Sequence, residues 1–397
     1  MQGKGGDSLM PRLLAAAYFL IATCGAMTHI AITLHFAGLG RGEALVAAVL
    51  VSGVCAQVFV APVLAPLFDI FHVRHVIAGS LTLEAATLVI LALFPQPAVL
   101  IAGNLVAAVL SGLSIPALFT LAEDGRAEED QAKVFSMLDT ARLVGSFVGP
   151  AIGGVLLDAA SIRLALLIES SALIIALLTI AAAARGHQQT TSRITQRPAQ
   201  SFLAKIIEAP RLLLGTSVVR EAMTSIWAAI IFTSMYNVAL VFYATQTLNV
   251  SGLGFALIAQ AFIVGRIAGA AASSRLTNDN ALPALLVSGV VMGLGIGIPG
   301  ILPSLWVCIP LFFIAGASNG VQVAALRLVV VNSVPADIKP KALSTMGSVN
   351  NSAMLVGYVV GAPVVAALGP ATTLAVAGAG TVAMTIIPRL LRGVAKR

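Results

Sequence analysis

A chain of 397 residues that is 58% hydrophobic and only 10% charged cannot cover a water-facing surface, so an ordinary soluble globule is excluded. Its formal net charge of +7 could suit nucleic acid, but the basic residues are spaced as membrane topology rather than gathered as a nucleic-acid footprint. The apolar residues come in blocks of about 20, the length a helix needs to cross hydrocarbon. Blocks such as 44–60 show no polar–apolar alternation, which selects helices over a closed barrel.

In chain order, hydropathy predicts spans at 12–37, 44–68, 75–94, 98–122, 132–157, 163–184, 218–244, 252–275, 281–301, 304–331, 341–367 and 369–389. The expected fold class is therefore all-α integral membrane, with twelve transmembrane helices and both termini on one side. The 23 Lys and Arg residues choose that side. With the termini in the cytoplasm, Arg41 and Arg163 fall outside, Arg142, Arg266 and Arg327 sit within spans, and the remaining 18 lie at the cytoplasmic ends and loops. A multi-pass protein of the inner cell membrane is expected, with anionic lipid contact as a secondary use of the basic face. The first apolar block is too long for a cleavable signal and lacks a clear cleavage site.

The one long polar interruption divides the chain into an N-terminal six-helix bundle (1–184), a cytoplasmic linker (185–217) and a C-terminal six-helix bundle (218–397). Residues 202–214 mix Lys205, Glu208 and Arg211 with apolar side chains, as either a surface-lying amphipathic helix or a partly ordered linker. The halves resemble each other. Leu143-Val-Gly-Ser-Phe-Val-Gly149 in span 5 shares five of its seven residues with Leu355-Val-Gly-Tyr-Val-Val-Gly361 in span 11. Two pseudo-symmetric bundles are expected, an arrangement that accompanies a central site and alternating access.

The strongest local motif is Gly145-Ser-Phe-Val-Gly149-Pro150-Ala-Ile-Gly153-Gly154. Glycines four apart leave a flat face where a second backbone can approach, and Pro150 removes a helix hydrogen bond. A packing seam without directional meaning would read the same way. On these residues the chain resembles the major facilitator superfamily, whose antiporters carry GxxxGPxxGG in the fifth helix. The resemblance implies a hinge at Gly145, Gly149, Pro150, Gly153 and Gly154, and export rather than uptake. The family's loop motif between spans 2 and 3 is represented here only by Asp69 and Arg74, which become candidates for a charge-paired gate, or ordinary loop charges. Exporters of this kind often carry an arginine in span 4; the segment from Asn104 to Gly112 has none, which departs from their usual proton coupling. The stretch from Asn237 through Gly252 to Gly265-Arg266 looks most like macrolide- or siderophore-exporting members.

Ionisable residues within spans are costly and are functional candidates by default. Glu84 in span 3 and Glu169 in span 6 are candidate coupling carboxylates or buried structural groups. Asp139 and Arg142 are three apart and share a helix face, as a mutual ion pair or as partners across the halves. The resembled fold lines its cavity with spans 1, 4, 7 and 10, which makes Thr28, His29, His35, Asn104, Tyr236, Asn237, Asn319, Gln322 and Arg327 candidates. His29 is the one that could titrate near neutrality, or it is a packing histidine. Arg327 and Arg266 would draw an anionic substrate, or snorkel to lipid phosphates.

Gly295-Ile-Gly297-Ile-Pro-Gly300 fits GxGxxG, but it lies inside an apolar span with no strand before it, so no dinucleotide site is expected. Neither a GxxxxGK(S/T) loop nor HExxH occurs. Cys24, Cys55 and Cys308 fall inside apolar blocks without metal or disulfide spacing. No cofactor and no metal are expected, and no nucleic-acid partner.

The expected function is a secondary active transporter exporting a drug or secreted metabolite by proton antiport, acting as a monomer. The alternatives are a siderophore exporter specifically, or a carrier of sugars or organic acids. A polytopic membrane enzyme would need acid–base groups clustered at one face. The only acidic cluster, Glu123 to Asp130, reads more simply as a solvated loop.

Overall fold

The computed structural model describes residues 9–39, 42–60, 71–123, 128–184, 217–332 and 339–395. Twelve helices long and apolar enough to cross a membrane account for nearly all of them. In chain order they are α1 (Leu9–Ala37), α2 (Gly42–Cys55, running into a π-helical turn at Ala56–Val60), α3 (Val73–Leu93), α4 (Pro97–Glu123), α5 (Glu128–Ala159) and α6 (Ile162–Ala184). The second set is α7 (Ser217–Phe242, with a π-helical turn at Tyr243–Thr247), α8 (Gly252–Ala272), α9 (Asn278–Ile301), α10 (Leu305–Asn332), α11 (Lys339–Leu368) and α12 (Pro370–Ala395). The chain is a multi-pass membrane protein. Span 2 was expected to reach residue 68; its helix is described to Val60, and 61–70 lie outside the described residues. So do residues 185–216, which hold almost all of the expected linker.

The turns follow from their residues. Gly369 adopts φ 80°, a left-handed conformation open to glycine, and Pro370 then starts α12 with φ already set. The Gly369 N–H closes back onto the Val365 carbonyl at 2.9 Å, and Thr373 Oγ1 donates to the Gly369 carbonyl at 2.7 Å. At the start of α8, Ser251 Oγ accepts from the Gly254 N–H at 3.4 Å. At the start of α9, the Thr277 N–H donates to Asn280 Oδ1 at 2.7 Å. The far end of α9 is closed from outside: Tyr243 Oη donates to the Pro299 carbonyl at 2.6 Å, supplying a partner to one of the helix's last carbonyls.

The described residues form two compact units. One holds α1, α2 from Ser52 onward, and α3 to α6; the other holds α7 to α12 with the start of α2 up to Val51. Within the first, α1 packs on α5 and α6, and α3 packs on α4 and α6. Within the second, α7 packs on α11 and α12, and α9 packs on α10 and α12. These four pairings in the second unit are the first unit's moved along by six helices, so the two six-helix bundles are pseudo-symmetric; α8 packs more closely on α10 than the described part of α2 does on α4.

The repeat holds at the level of single residues. A Cβ on Gly145 would meet the Phe19 carbonyl at 2.7 Å and Ala22 Cβ at 3.0 Å; a Cβ on Gly149 would meet the Thr23 carbonyl and Ala26 Cβ. In the second unit, Gly357 faces the Ile231 carbonyl and Ser234, and Gly361 faces Met235 and Val238. Each residue stands 212 positions after its counterpart, as Gly357 does after Gly145 and Ile231 after Phe19. The short sequence match therefore marks one helix–helix contact built twice in the same register. Its cause is steric: only glycine lets the α5 or α11 backbone lie against the carbonyls of α1 or α7.

Candidate functional site

The N-terminal bundle encloses two carboxylates. Glu84 lies midway along α3 and is 4% exposed. Ser111 Oγ of α4 donates to its Oε1 at 2.8 Å, while Oε2 is buried and has no hydrogen-bond partner. Glu169 lies in the first half of α6 and is 7% exposed. It faces α1 at Gly25, where a Cβ would stand in ordinary contact, 3.5 Å from Glu169 Oε1. Thr28, one turn along α1, places a buried hydroxyl beside the same carboxylate without a hydrogen bond of good geometry. The two carboxylates are within electrostatic reach of each other. One residue on from each glutamate, Ser170 Oγ donates to the Ala85 carbonyl at 2.9 Å and ties α6 to α3. Four helices thus converge on one polar spot inside an apolar bundle.

A carboxylate withdrawn from water is costly unless it is protonated or paired with a cation. Among the described residues Ser111 acts on Glu84, Thr28 and Glu84 act on Glu169, and the Cys24 thiol lies within reach of Glu169; none of these is a basic side chain. The sequence marked both glutamates as candidates, but not that they share a site. Nor did it mark Ser111, which lies in the very segment where an arginine was missing. Pairing across helices leaves no periodic trace within either helix.

Asp139 and Arg142 do pair with each other: Arg142 Nε stands 3.4 Å from Asp139 Oδ1, and both side chains are largely exposed. Tyr18 of α1 is buried beside them and meets Phe119 edge-on at 5.9 Å. Arg74 is half-buried in the first turn of α3, whereas Asp69 lies outside the described residues. In the hinge motif, Gly145, Gly149 and Gly153 form the seam against α1, and Pro150 and Gly154 are buried within α5.

The cavity candidates separate by environment. In the first unit His29 is exposed, Thr28 buried and His35 half-buried; Asn104 donates to Ser52 Oγ at 2.7 Å and joins α4 to α2. In the second unit Tyr236 is buried against Phe262 of α8 and Phe312 of α10, with ring centroids at 5.6 and 5.8 Å. Asn237 donates to the Ser234 carbonyl at 3.4 Å, and Asn319 to Met292 Sδ at 3.6 Å. Gln322 is buried, and Arg266 and Arg327 are exposed. The GxGxxG stretch is helical throughout. A Cβ on Gly295 would meet the Leu311 carbonyl of α10 at 2.8 Å, and one on Gly300 would meet Ala375 N of α12 at 2.7 Å, so these glycines seat α9 between two neighbours. The three cysteines are free thiols, and no group of three metal-binding side chains occurs among the described residues.

The whole fold is similar to that of solved transporters. A nucleoside transporter, NupG, superposes with a TM-score of 0.77 at 14% identity, covering 96% of this chain and 99% of that one. A POT family transporter in complex with a thioalcohol-conjugated peptide gives 0.73 at 12% identity, covering 98% and 96%. A bacterial homologue of the human lysosomal transporter Spinster gives 0.68 at 14% identity, covering 98% and 96%. No curated protein matches the chain in sequence. The pseudo-repeated bundles agree with the match of a sequence-family model to residues 14–358, which makes the chain a member of the Major Facilitator Superfamily.

Proposed function

We propose that this secondary transporter exports a small organic molecule, a drug or a secreted metabolite such as a siderophore, by proton antiport across the inner membrane. It works as a monomer with both termini in the cytoplasm. The observation that carries the reading is α5. Its GxxxGPxxGG sequence is complete, and three of its glycines lie backbone to backbone against α1. That seam leaves Pro150 as the point where α5 can bend while its packing holds. Protons fit as the coupling ion because two carboxylates sit inside the same bundle. With no phosphate-binding loop in the sequence, the energy comes from a gradient.

A strain lacking the protein, compared with its parent by metabolite profiling and a drug panel, tests the direction of transport. Export predicts that one compound class is retained in the cells or becomes several-fold more toxic. Loss of uptake of a solute, with no retention, would instead favour the second reading, an importer of organic acids. The observation behind that alternative is the exposed Arg266 and Arg327 on α8 and α10, which would attract an anion.

A further inference from the structure

We propose that Glu84 and Glu169 form a single buried proton-binding site inside the N-terminal bundle, and that this site carries the coupling proton. The second half of that statement rests on the antiport reading; the first does not.

The geometry has three parts. The carboxylates belong to different helices, α3 and α6, but their chain neighbours are joined, Ser170 Oγ donating to the Ala85 carbonyl at 2.9 Å, which brings the two within electrostatic reach. Each is also met from a further helix by a hydroxyl, Ser111 from α4 and Thr28 from α1. Finally, two buried polar atoms at the spot complete no hydrogen bond: Glu84 Oε2 and Thr28 Oγ1. A satisfied structural pair would not leave them so, because an orphaned buried polar atom keeps its desolvation cost with nothing to offset it.

The chemistry is proton binding alone. Ser111 already donates to Glu84 Oε1, which leaves Oε2 as the oxygen that takes a proton. On Glu169 the Thr28 hydroxyl can accept from a protonated carboxyl or donate to an ionised one, so it serves both states. Two adjacent negative charges in an apolar bundle oppose each other, so the site empties of its last proton only when water or a cation reaches it. The titratable group facing the site from α1 is Cys24, which lies within electrostatic reach of Glu169. From α4 the facing group is Ser111, which does not titrate in this range. The charged pair on α5, Asp139 and Arg142, acts on Tyr18 instead.

The site spans α1, which also carries the contact with α5 and its Pro150. A change in charge at Glu169 therefore acts on the helix that the seam holds. That gives the proton a route to the conformational change without passing through the substrate's own binding groups.

The test is infrared difference spectroscopy of the full chain in lipid nanodiscs, titrated over pH in light and heavy water. The expected result is a protonated-carboxyl band that is partly lost in Glu84→Gln and partly in Glu169→Gln. Each single variant should also change the midpoint at which the other's band disappears. Ser111→Ala keeps both carboxylates and should alter the Glu84 component directly and shift the Glu169 midpoint through it, which covers the case where a glutamine variant fails to fold. Two independent midpoints, or a band indifferent to all three variants, would overturn the site. So would a band displaced by sodium at constant pH, since the ligand would then be a metal cation. Vesicle transport of an amphipathic cationic dye such as ethidium separates the two claims. If transport follows the pH gradient in both glutamine variants as in the parent, the site does not carry the coupling proton and antiport stands. If the band behaves as described while parent transport ignores the gradient, antiport is wrong and the proton site stands without its coupling role.

Discussion

Single residues in this protein are constrained most tightly where glycine faces a carbonyl. Gly149 has the Thr23 carbonyl, Ala26 Cβ and Met27 N around the place a Cβ would occupy, whereas Gly79 on α3 is exposed with nothing within 4 Å. Overpacking typically costs about 1–3 kcal/mol, and an exposed helical glycine gains about 0.5–1 kcal/mol on change to alanine. Gly149→Ala should therefore lower the thermal unfolding midpoint of the detergent-purified protein, Gly149→Leu should abolish transport as well, and Gly79→Ala should hold or raise the midpoint. Equal behaviour of Gly79→Ala and Gly149→Ala would remove the steric argument. The sequence showed this seam because four-residue glycine spacing is a local pattern. It showed Glu84 and Glu169 because any carboxylate stands out in an apolar block. Thr28 entered only as a cavity candidate and Ser111 not at all, since Ser and Thr are ordinary in membrane helices, where they return a hydrogen bond to the preceding turn. Thr23, Thr233 and Thr381 do that here, donating to the carbonyls of Phe19, Ala229 and Ala377.

Helix bounds were legible to within a few residues because each break is made by turn chemistry, as at Gly369-Pro370, or by a polar cluster such as Ser273 to Asn280. Partner choice was less so. The α5 and α11 repeat hinted at one contact, but the α8–α10 pair, which has no such repeat match, is packed as closely. Gly265 and Gly269 lie against Phe313 and Ala317, while Gly316 and Gly320 lie against Phe262 and the Arg266–Ala270 turn. Both helices thus contribute glycines to one seam, so either side alone should disrupt it. Gly316→Ala should destabilise the C-terminal bundle by an amount similar to Gly149→Ala in the N-terminal one, read as the concentration of denaturing detergent at half loss of helical signal. A Gly316→Ala protein as resistant as the parent would show that the α8–α10 seam yields freely. Tyr236 shows what helix position alone leaves out: span 7 placed it among the cavity candidates, and its ring packs against Phe262 and Phe312 in the second unit. Its hydrophobic ring is drawn to whatever apolar neighbours α8 and α10 supply, which the sequence of α7 does not contain.

At the scale of the whole molecule, two bundles with four helix pairings in common differ in what they bury. Among the described residues the N-terminal one buries two carboxylates, whereas α8 and α10 meet through glycines and α7 and α12 through the Thr233 and Thr381 hydroxyls, 3.0 Å apart. Buried carboxylates in one copy of a duplicated scaffold suit the proposed antiport, in which one half takes the proton. In the proposed cycle a proton gradient drives the outward movement of cargo. Purified protein in proteoliposomes, with ethidium as cargo and a pH gradient imposed in the direction of antiport, tests this. Uphill dye movement with an opposing proton flux is expected, both abolished by nigericin and neither requiring ATP. Transport that depends on ATP and is indifferent to the ionophore would contradict it.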